Sequence, residues 1–294
     1  MHLLITGGTG FIGKPLTQQL RKEGHKITLL SRTPGAGGVE WTAGHGAPDL
    51  SGIAPIDGVV HLAGEGIADK AWSPERRREI LDSRTLGARE ISQALQKLPT
   101  KPEIFLSASA TGFYGDRGDT PLDETSPPGS GFLSEVTQAW EAATAEAPAR
   151  RVVSLRFGMV LGSQGGALKE LLRVFRTGLG GPAGSGKQWV SWIHLEDLIH
   201  LISFALRSHE VRGVLNATSP HPVRNEELAQ TLGHLLHRPA FLRAPAWALR
   251  AMLGPRADLV LQSQKVYPKR ATELGFTFRF PELPVALTQI LKLE

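Results

Sequence analysis

Gly7, Gly10 and Gly13 stand three residues apart in the stretch TGGTGFIG, residues 6–13. The apolar run HLLIT precedes them and an amphipathic run follows, so a strand turns into a helix at these glycines. Main chain at such a turn can hold a phosphate. The first glycine allows a tight turn, the second lets backbone approach a pyrophosphate, and the third lets helix and strand pack closely. Phe11 and Ile12 lie at the helix N-terminus, whose free N–H groups and partial positive charge favour an anion. Pro15 sits in the first turn or just past it, where a missing N–H costs little. The stretch predicts dinucleotide binding at Gly7, Gly10, Phe11, Ile12 and Gly13; a Gly-rich turn with no ligand is the plainer alternative.

The second apolar run, KITLLS at 26–31, leads into Arg32 and Thr33 with no acid. A carboxylate there would hold the ribose 2′-OH of NAD. Arg32 can fork onto a 2′-phosphate and Ser31 can add a hydroxyl, which points to NADP(H). The competing view is a surface arginine at a strand end.

Proton-transfer chemistry has one candidate place, SASATGFYGDRGD at 107–119. Ser109 can hydrogen-bond a substrate or a nicotinamide, or be a satisfied strand-end hydroxyl. Tyr114 can act as an acid, tuned by Asp116 or Arg117, or can wall the pocket. A phenol of ordinary pKa, about 10, needs a nearby cation to work at neutral pH.

Other constellations carry less. No H-E-x-x-H occurs among the ten histidines, and His234 with His237 reads as a surface helix, so no metal site is expected. No G-x-S-x-G elbow supports a hydrolase. Lys187, Trp189 and Trp192 follow a Gly-rich loop, and a cation between two aromatics suits an anionic or ring-bearing ligand. Arg76, Arg77 and Arg78 read as a solvated helix face.

The elements that position these residues follow from alternating patterns. Apolar runs at 2–6, 26–31, 58–64, 103–109 and 151–158 are separated by helical patterns at roughly 11–23, 75–97 and 132–147. Strands alternating with helices predict an α/β fold, a Rossmann-type doubly wound parallel sheet. After about residue 163 the texture changes to a helix at 166–178, the loop GLGGPAGSGKQW, a strand turning into a helix at 189–206, and helices at 225–237 and 245–254. The expected division is a dinucleotide-binding core, 1–163, and a small C-terminal substrate cap, 164–294.

At 294 residues, with 41% hydrophobic and 21% charged residues, the chain can bury a full core. Cysteine is absent, which excludes disulfides and thiolate chemistry. The net charge of +5 is scattered, without a basic stripe interleaved with aromatics, so no nucleic-acid partner is expected. No apolar stretch approaches the ~18 residues of a membrane span, and no membrane partner is expected. MHLLITGGTG runs straight into a strand without a charged leader, so a cytoplasmic location is expected.

The spacing G-x-x-G-x-x-G resembles the short-chain dehydrogenase/reductase superfamily, and the later motifs resemble its extended, nucleotide-sugar-epimerase-like branch. HLAGEGI (61–67), DSRTLGARE (82–90) and WIHLEDL (192–198) match motifs of that branch. The C-terminal stretch from PAWALRAMLG to RFPEL, within about 245–292, is similar to that of an atypical "epimerase family". The resemblance covers nearly the whole chain. It implies cofactor contacts at Ser31, Arg32, Leu62, Ala63, Glu79, Arg84 and Val160, and a catalytic serine near Ser109. It also implies a Tyr-x-x-x-Lys pair, and the chain has none: Tyr114 is followed four residues on by Gly118, and Tyr267 by Ala271. In register, Leu133 stands where Tyr belongs and Thr137 where Lys belongs. The expected function is an NADP(H)-dependent, epimerase-like oxidoreductase with a degenerate site, acting on a small molecule such as a nucleotide sugar or carbonyl compound. The rival from another class is a protein that senses NADP(H) without turnover.

Overall fold

Strands and helices alternate through the first half of the computed structural model, which describes residues 1–33, 35, 37–53 and 55–292. The strands are β1 (His2–Thr6), β2 (Lys26–Ser31), β3 (Val39–Glu40), β4 (Gly58–His61), β5 (Ile104–Ala110), β6 (Pro121–Leu122) and β7 (Arg151–Phe157), then β8 (Met159–Leu161), β9 (Trp189–Val190), β10 (Trp192–His194), β11 (Gly213–Ala217), β12 (Val223–Arg224) and β13 (Lys265–Val266). The helices are α1 (Gly13–Lys22), α2 (Pro74–Gln96), α3 (Phe132–Ala145), α4 (Gly166–Arg176) and α5 (Leu195–Arg207), then α6 (Asn225–Leu235), α7 (Ala246–Leu253), α8 (Asp258–Leu261), α9 (Lys269–Glu273) and α10 (Leu283–Leu291).

Seven strands form one sheet in the order β3-β2-β1-β4-β5-β7-β11, and each pairing is parallel. Parallel strands are covered on both faces, and β1 shows why its run is continuously apolar. Leu3 and Ile5 point to one face, where Leu16 and Leu20 of α1 and Leu198, Leu201 and Ile202 of α5 complete a core. Leu4 points to the other, with Val59, Phe105 and Ile91 and Leu95 of α2. Ser73 caps α2 by accepting from the Arg76 N–H at 3.2 Å, and Pro74 occupies its first position.

The sheet extends past the expected boundary at residue 163. The chain returns after it: α5 packs on the sheet and β11 pairs with β7. Without them β7 would be an open edge and its neighbouring apolar face would be bare. The smaller cap has its own core, formed by Leu168, Leu172 and Phe175 of α4, Leu228 and Leu232 of α6, and Leu287 of α10.

Strand order reverses between β1 and β4, which are neighbours although β2 and β3 intervene in sequence. Ligands of open α/β sheets bind outside the carboxyl ends of the strands at such a switch point. Thr6 and His61 end the two strands directly opposite each other. No helix among the described residues is long and apolar enough to cross a membrane.

Candidate functional site at the sheet switch point

Gly7 turns the chain away from β1 with φ +66°, a conformation that favours glycine. A Cβ on Gly7 would lie 2.8 Å from the Leu62 carbonyl carbon, so β1 and β4 meet here backbone to backbone. A Cβ on Gly13 would lie 2.1 Å from the Gly7 oxygen. At Gly10 the nearest atom is the Gly7 oxygen, 3.3 Å away, and the residue is exposed. Gly7 and Gly13 therefore hold the turn together, and Gly10 leaves its open side bare. No side chain caps α1, and the N–H groups of Phe11, Ile12 and Gly13 have no partner among the described residues. These are the donors a phosphate needs. The Phe11 ring itself packs away from them, against Gly162, Gly165 and Gly166. Val160 lies half-buried beside that turn, on β8 opposite Ile193 of β10.

Thr6 and His61 pin the turn from below. Thr6 Oγ1 accepts the N–H groups of Leu62 at 3.1 Å and Ala63 at 3.0 Å. Its own proton therefore goes to His61 Nδ1, 2.8 Å away. Burial, with the Arg84 charge adding to it, pushes the His61 pKa down to about 4 and keeps the ring neutral. The sequence reading missed both residues, although Thr6 is the first residue of the glycine stretch.

One strand over, Thr6 aligns with Leu30 of β2, so Ser31 and Arg32 follow beside Gly7. Ser31 Oγ accepts the Thr33 N–H at 3.2 Å. The Arg32 side chain is exposed and has no partner among the described residues.

The loop after β4 is held down on α2. Arg84 donates to the carbonyls of Glu65 and Ile80, both at 3.0 Å, and lies 5.1 Å from the Trp140 ring centre. It has no carboxylate partner among the described residues. Burial pushes its pKa down to about 10, which leaves the cation intact at neutral pH and under-neutralised. Gly64 sits over this guanidinium; a Cβ there would be 3.3 Å from Cζ. Glu79 gives one oxygen to Arg76 at 2.8 Å, and Arg76 also donates to Glu65 at 2.9 Å and to the Gly66 carbonyl at 2.7 Å. The expectation of a solvated arginine triplet is thereby corrected. Arg76 is buried as the clamp of the loop, Arg77 lies 5.0 Å from the Phe132 ring centre, and only Arg78 is exposed. Three adjacent helix positions point in three directions, and the loop needs one of them inward.

Ser109, one residue before the end of β5, and Tyr114, in the turn that follows it, are brought into one network. Ser109 donates to Glu141 Oε1 at 2.6 Å, and Arg156 binds both oxygens of Glu141 at 2.8 and 2.7 Å. Arg156 Nη1 donates to the Tyr114 hydroxyl at 2.9 Å. That hydroxyl faces Asn216 Oδ1 at 2.7 Å and the Asp123 carbonyl at 2.9 Å. The Tyr114 side chain is fully buried, and burial pushes its pKa up to about 12 against the pull of Arg156. Neither Asp116 nor Arg117 tunes it: Arg117 binds backbone carbonyls, and Asp116 accepts from Ser263 and Gly118. Leu133 and Thr137 lie on α3. Leu133 packs on Gly112, and the Thr137 hydroxyl bonds back to its own helix.

The expected pairing of Lys187 with two aromatics is not formed. Trp192 is buried, with its indole N–H on the His221 carbonyl. Trp189 instead meets Arg224 and Lys265, 4.0 and 4.4 Å from its ring centre, and donates to Asp119 at 2.9 Å. His194 caps α5 through Nδ1 and bonds Gln289 through Nε2, an architectural role. Asp197 of the same motif accepts the Arg279 and Phe280 N–H groups and ties the C-terminal stretch down. Among the described residues no group of His, Asp and Glu is arranged to hold a metal.

A parallel sheet of this order, with a three-glycine turn at its switch point, defines a Rossmann-type protein. Residues 3–217 match the NAD dependent epimerase/dehydratase family, and the chain belongs to it. Residues 244–290 match a domain of unknown function, DUF1731. The human epimerase family protein SDR39U1 is 40% identical over 99% of this chain and 100% of its own length. Its Arabidopsis thaliana homologue, named chloroplastic, is 40% identical over 99% of this chain and 87% of its own. The crystal structure of the human protein with NADPH superposes with a TM-score of 0.92 at 39% identity, covering all of both chains. A nucleoside-diphosphate sugar epimerase from Corynebacterium glutamicum gives 0.83 at 32% identity, over all of this chain and 59% of the other.

Proposed function

We propose that this protein binds NADP(H) at the switch point and works as an epimerase-like oxidoreductase that lacks the Tyr-x-x-x-Lys pair. The observation that carries the reading is the Gly7–Leu62 approach, with N–H groups that have no partner among the described residues on one side and the exposed Arg32 on the other. The NADPH in the structure of the 39% identical human relative supports it. In this reading the N–H groups of Phe11, Ile12 and Gly13 receive the pyrophosphate, and Gly10 keeps room for it. Arg84 adds charge to that region, Ser31 and Arg32 take the 2′-phosphate, and Leu62, Ala63 and Val160 line the groove. Glu79 acts by steadying Arg76 and the loop. When bound, NADPH supplies a hydride.

The chain's own contribution to proton transfer is small. Ser109 and Tyr114 are positioning residues: both are buried and fully engaged with Glu141, Arg156 and Asn216. Leu133 and Phe132 present apolar surface where the superfamily's tyrosine would stand. A carbonyl compound or nucleotide sugar reduced here would take its proton from water. The same burial favours a second reading, a protein that binds NADP(H) and passes its redox state to a partner without turnover. A cytoplasmic location goes with either reading, and the chloroplastic Arabidopsis relative is one for which it differs.

Calorimetry with NADPH and NADH tests the cofactor. Arg32→Ala is expected to weaken NADPH at least about tenfold and leave NADH nearly unchanged. Equal losses for both would remove the assignment. Overnight NADPH oxidation with ketones and sugar nucleotides separates the two functional readings.

A further inference from the structure

One corner of the cap carries unusually bare apolar side chains. Phe241 is 75% exposed, Trp247 74%, Met252 71% and Leu179 65%. The segments that bear them are held together. Gly184 donates its N–H to the Ala244 carbonyl at 2.8 Å, and Ala244 donates to the Pro182 carbonyl at 2.9 Å. Gly178 lies against Pro239 and Gly181 against the Leu242 backbone, which brings Leu179 beside Phe241. The helix α7 begins two residues beyond Ala244, and none of its residues is buried. A helix that serves its own fold lays an apolar face on the core; α7 keeps Trp247 and Met252 outward.

The two segments that bear these side chains carry one sign of charge. Residues 176–187 contain Arg176 and Lys187, residues 237–256 contain Arg238, Arg243, Arg250 and Arg256, and neither segment contains an acid. Glu226 and Asp258 approach Arg243 and Arg250, each at 3.5 Å. Arg176 and Arg238 have no carboxylate partner among the described residues. Beside Phe241 lies a recess of about 380 Å³, lined by Arg238 and Arg243, by Gln230 and His234, and by one acid, Glu226.

We propose that this corner docks on an anionic membrane surface. Phe241, Trp247, Met252 and Leu179 enter the interfacial layer, and Arg238 meets a lipid phosphate at the recess. Aromatic and aliphatic side chains set in a basic surface bind such interfaces by combining apolar burial with charge attraction. The apolar groups come from two segments, 178–184 and 241–253, and each is largely exposed. Lipid closes around such side chains without a matching mould, whereas a protein partner needs a complementary surface. A second copy of this chain would bring like charges together. The docking replaces the expectation of no membrane partner, which rested on the missing span; this contact lies on the surface.

Co-sedimentation of the full-length protein with lipid vesicles tests the proposal. Vesicles of phosphatidylcholine with phosphatidylserine should bind at least about tenfold more protein than phosphatidylcholine alone, and salt should weaken the binding. Phe241→Ser with Trp247→Ser should cut vesicle binding about tenfold. The melting temperature and NADPH affinity should not change, because both side chains are exposed. Arg238→Glu should reduce binding to the anionic vesicles alone. Equal sedimentation of wild type and variants would overturn the proposal. So would absence of vesicle binding together with self-association that the double variant abolishes, which would make the corner an interface between copies.

Discussion

Arg156 reaches Tyr114 and Glu141 with one guanidinium: Nη1 donates to the phenol at 2.9 Å while Nε and Nη2 hold the carboxylate at 2.8 and 2.7 Å. The same cation lies 3.3 Å from the Phe113 ring centre. Strand β7, helix α3 and the turn after β5 are thus joined by one charged group, and the tyrosine that could have been an acid is one of its ligands. Tyr114→Phe should cost about 1–3 kcal/mol, because Arg156 and Asn216 each lose a buried partner. Urea unfolding measures that loss. If NADPH oxidation is found, its pH profile should be the same in wild type and variant; a lost basic limb would return Tyr114 to catalysis.

Gly10 and Gly13 should respond differently to alanine. A Cβ on Gly13 would collide with the Gly7 oxygen, so Gly13→Ala should lose about 3 kcal/mol of stability. Gly10→Ala meets nothing closer than 3.3 Å and should change stability by less than about 1 kcal/mol. It should still weaken NADPH, because its methyl group projects where phosphate is expected. Thermal melts with and without cofactor distinguish the two variants, and an equal melting loss for both would count against this geometry.

His61 makes stability depend on pH. Its folded pKa is about 4, below the 6.5 of the free side chain. Below pH 6.5 the unfolded chain therefore takes up a proton that the folded chain refuses. The stabilisation is whole above pH 6.5 and falls away as pH drops through 4, by about 3 kcal/mol. Burial lowers the His194 and His200 pKa values too, with the same sign. Urea midpoints between pH 7 and pH 4 should fall more steeply in wild type than in His61→Gln. Parallel slopes would exclude His61 as the source.

Asp197 holds the C-terminal stretch by two backbone N–H groups, at 2.8 and 2.9 Å. Asp197→Ala leaves both donors unpaired and should cost about 3 kcal/mol. Trypsin should then cut near Arg279 several-fold faster. Unchanged proteolysis would show that apolar packing alone fastens this stretch.

Elements with a strong local pattern are legible in the order of the residues alone. KITLLS predicts β2 at 26–31, and the strand occupies those residues; the periodic runs place α2, α3 and α6 within a few residues of their observed ends. A strand or helix is selected by neighbours two to four residues away, so its signal is local. The three-glycine turn is legible for the same reason: its spacing follows from a contact between Gly7 and Gly13. By itself the sequence determined an α/β nucleotide-binding class and the absence of a Tyr-x-x-x-Lys pair.

Tertiary structure decided what the individual polar side chains are for. Arg76 is one of three adjacent arginines, and only the loop carrying Glu65 and Gly66 selects it as a clamp. Tyr114 looks like an acid until Arg156 and Asn216 arrive from β7 and β11, and Trp189 acquires its cations from Arg224 and Lys265. These partners are far apart in the chain and share no periodicity. A side chain's burial, charge and reactivity depend on which distant groups the fold brings against it, and no local spacing encodes that.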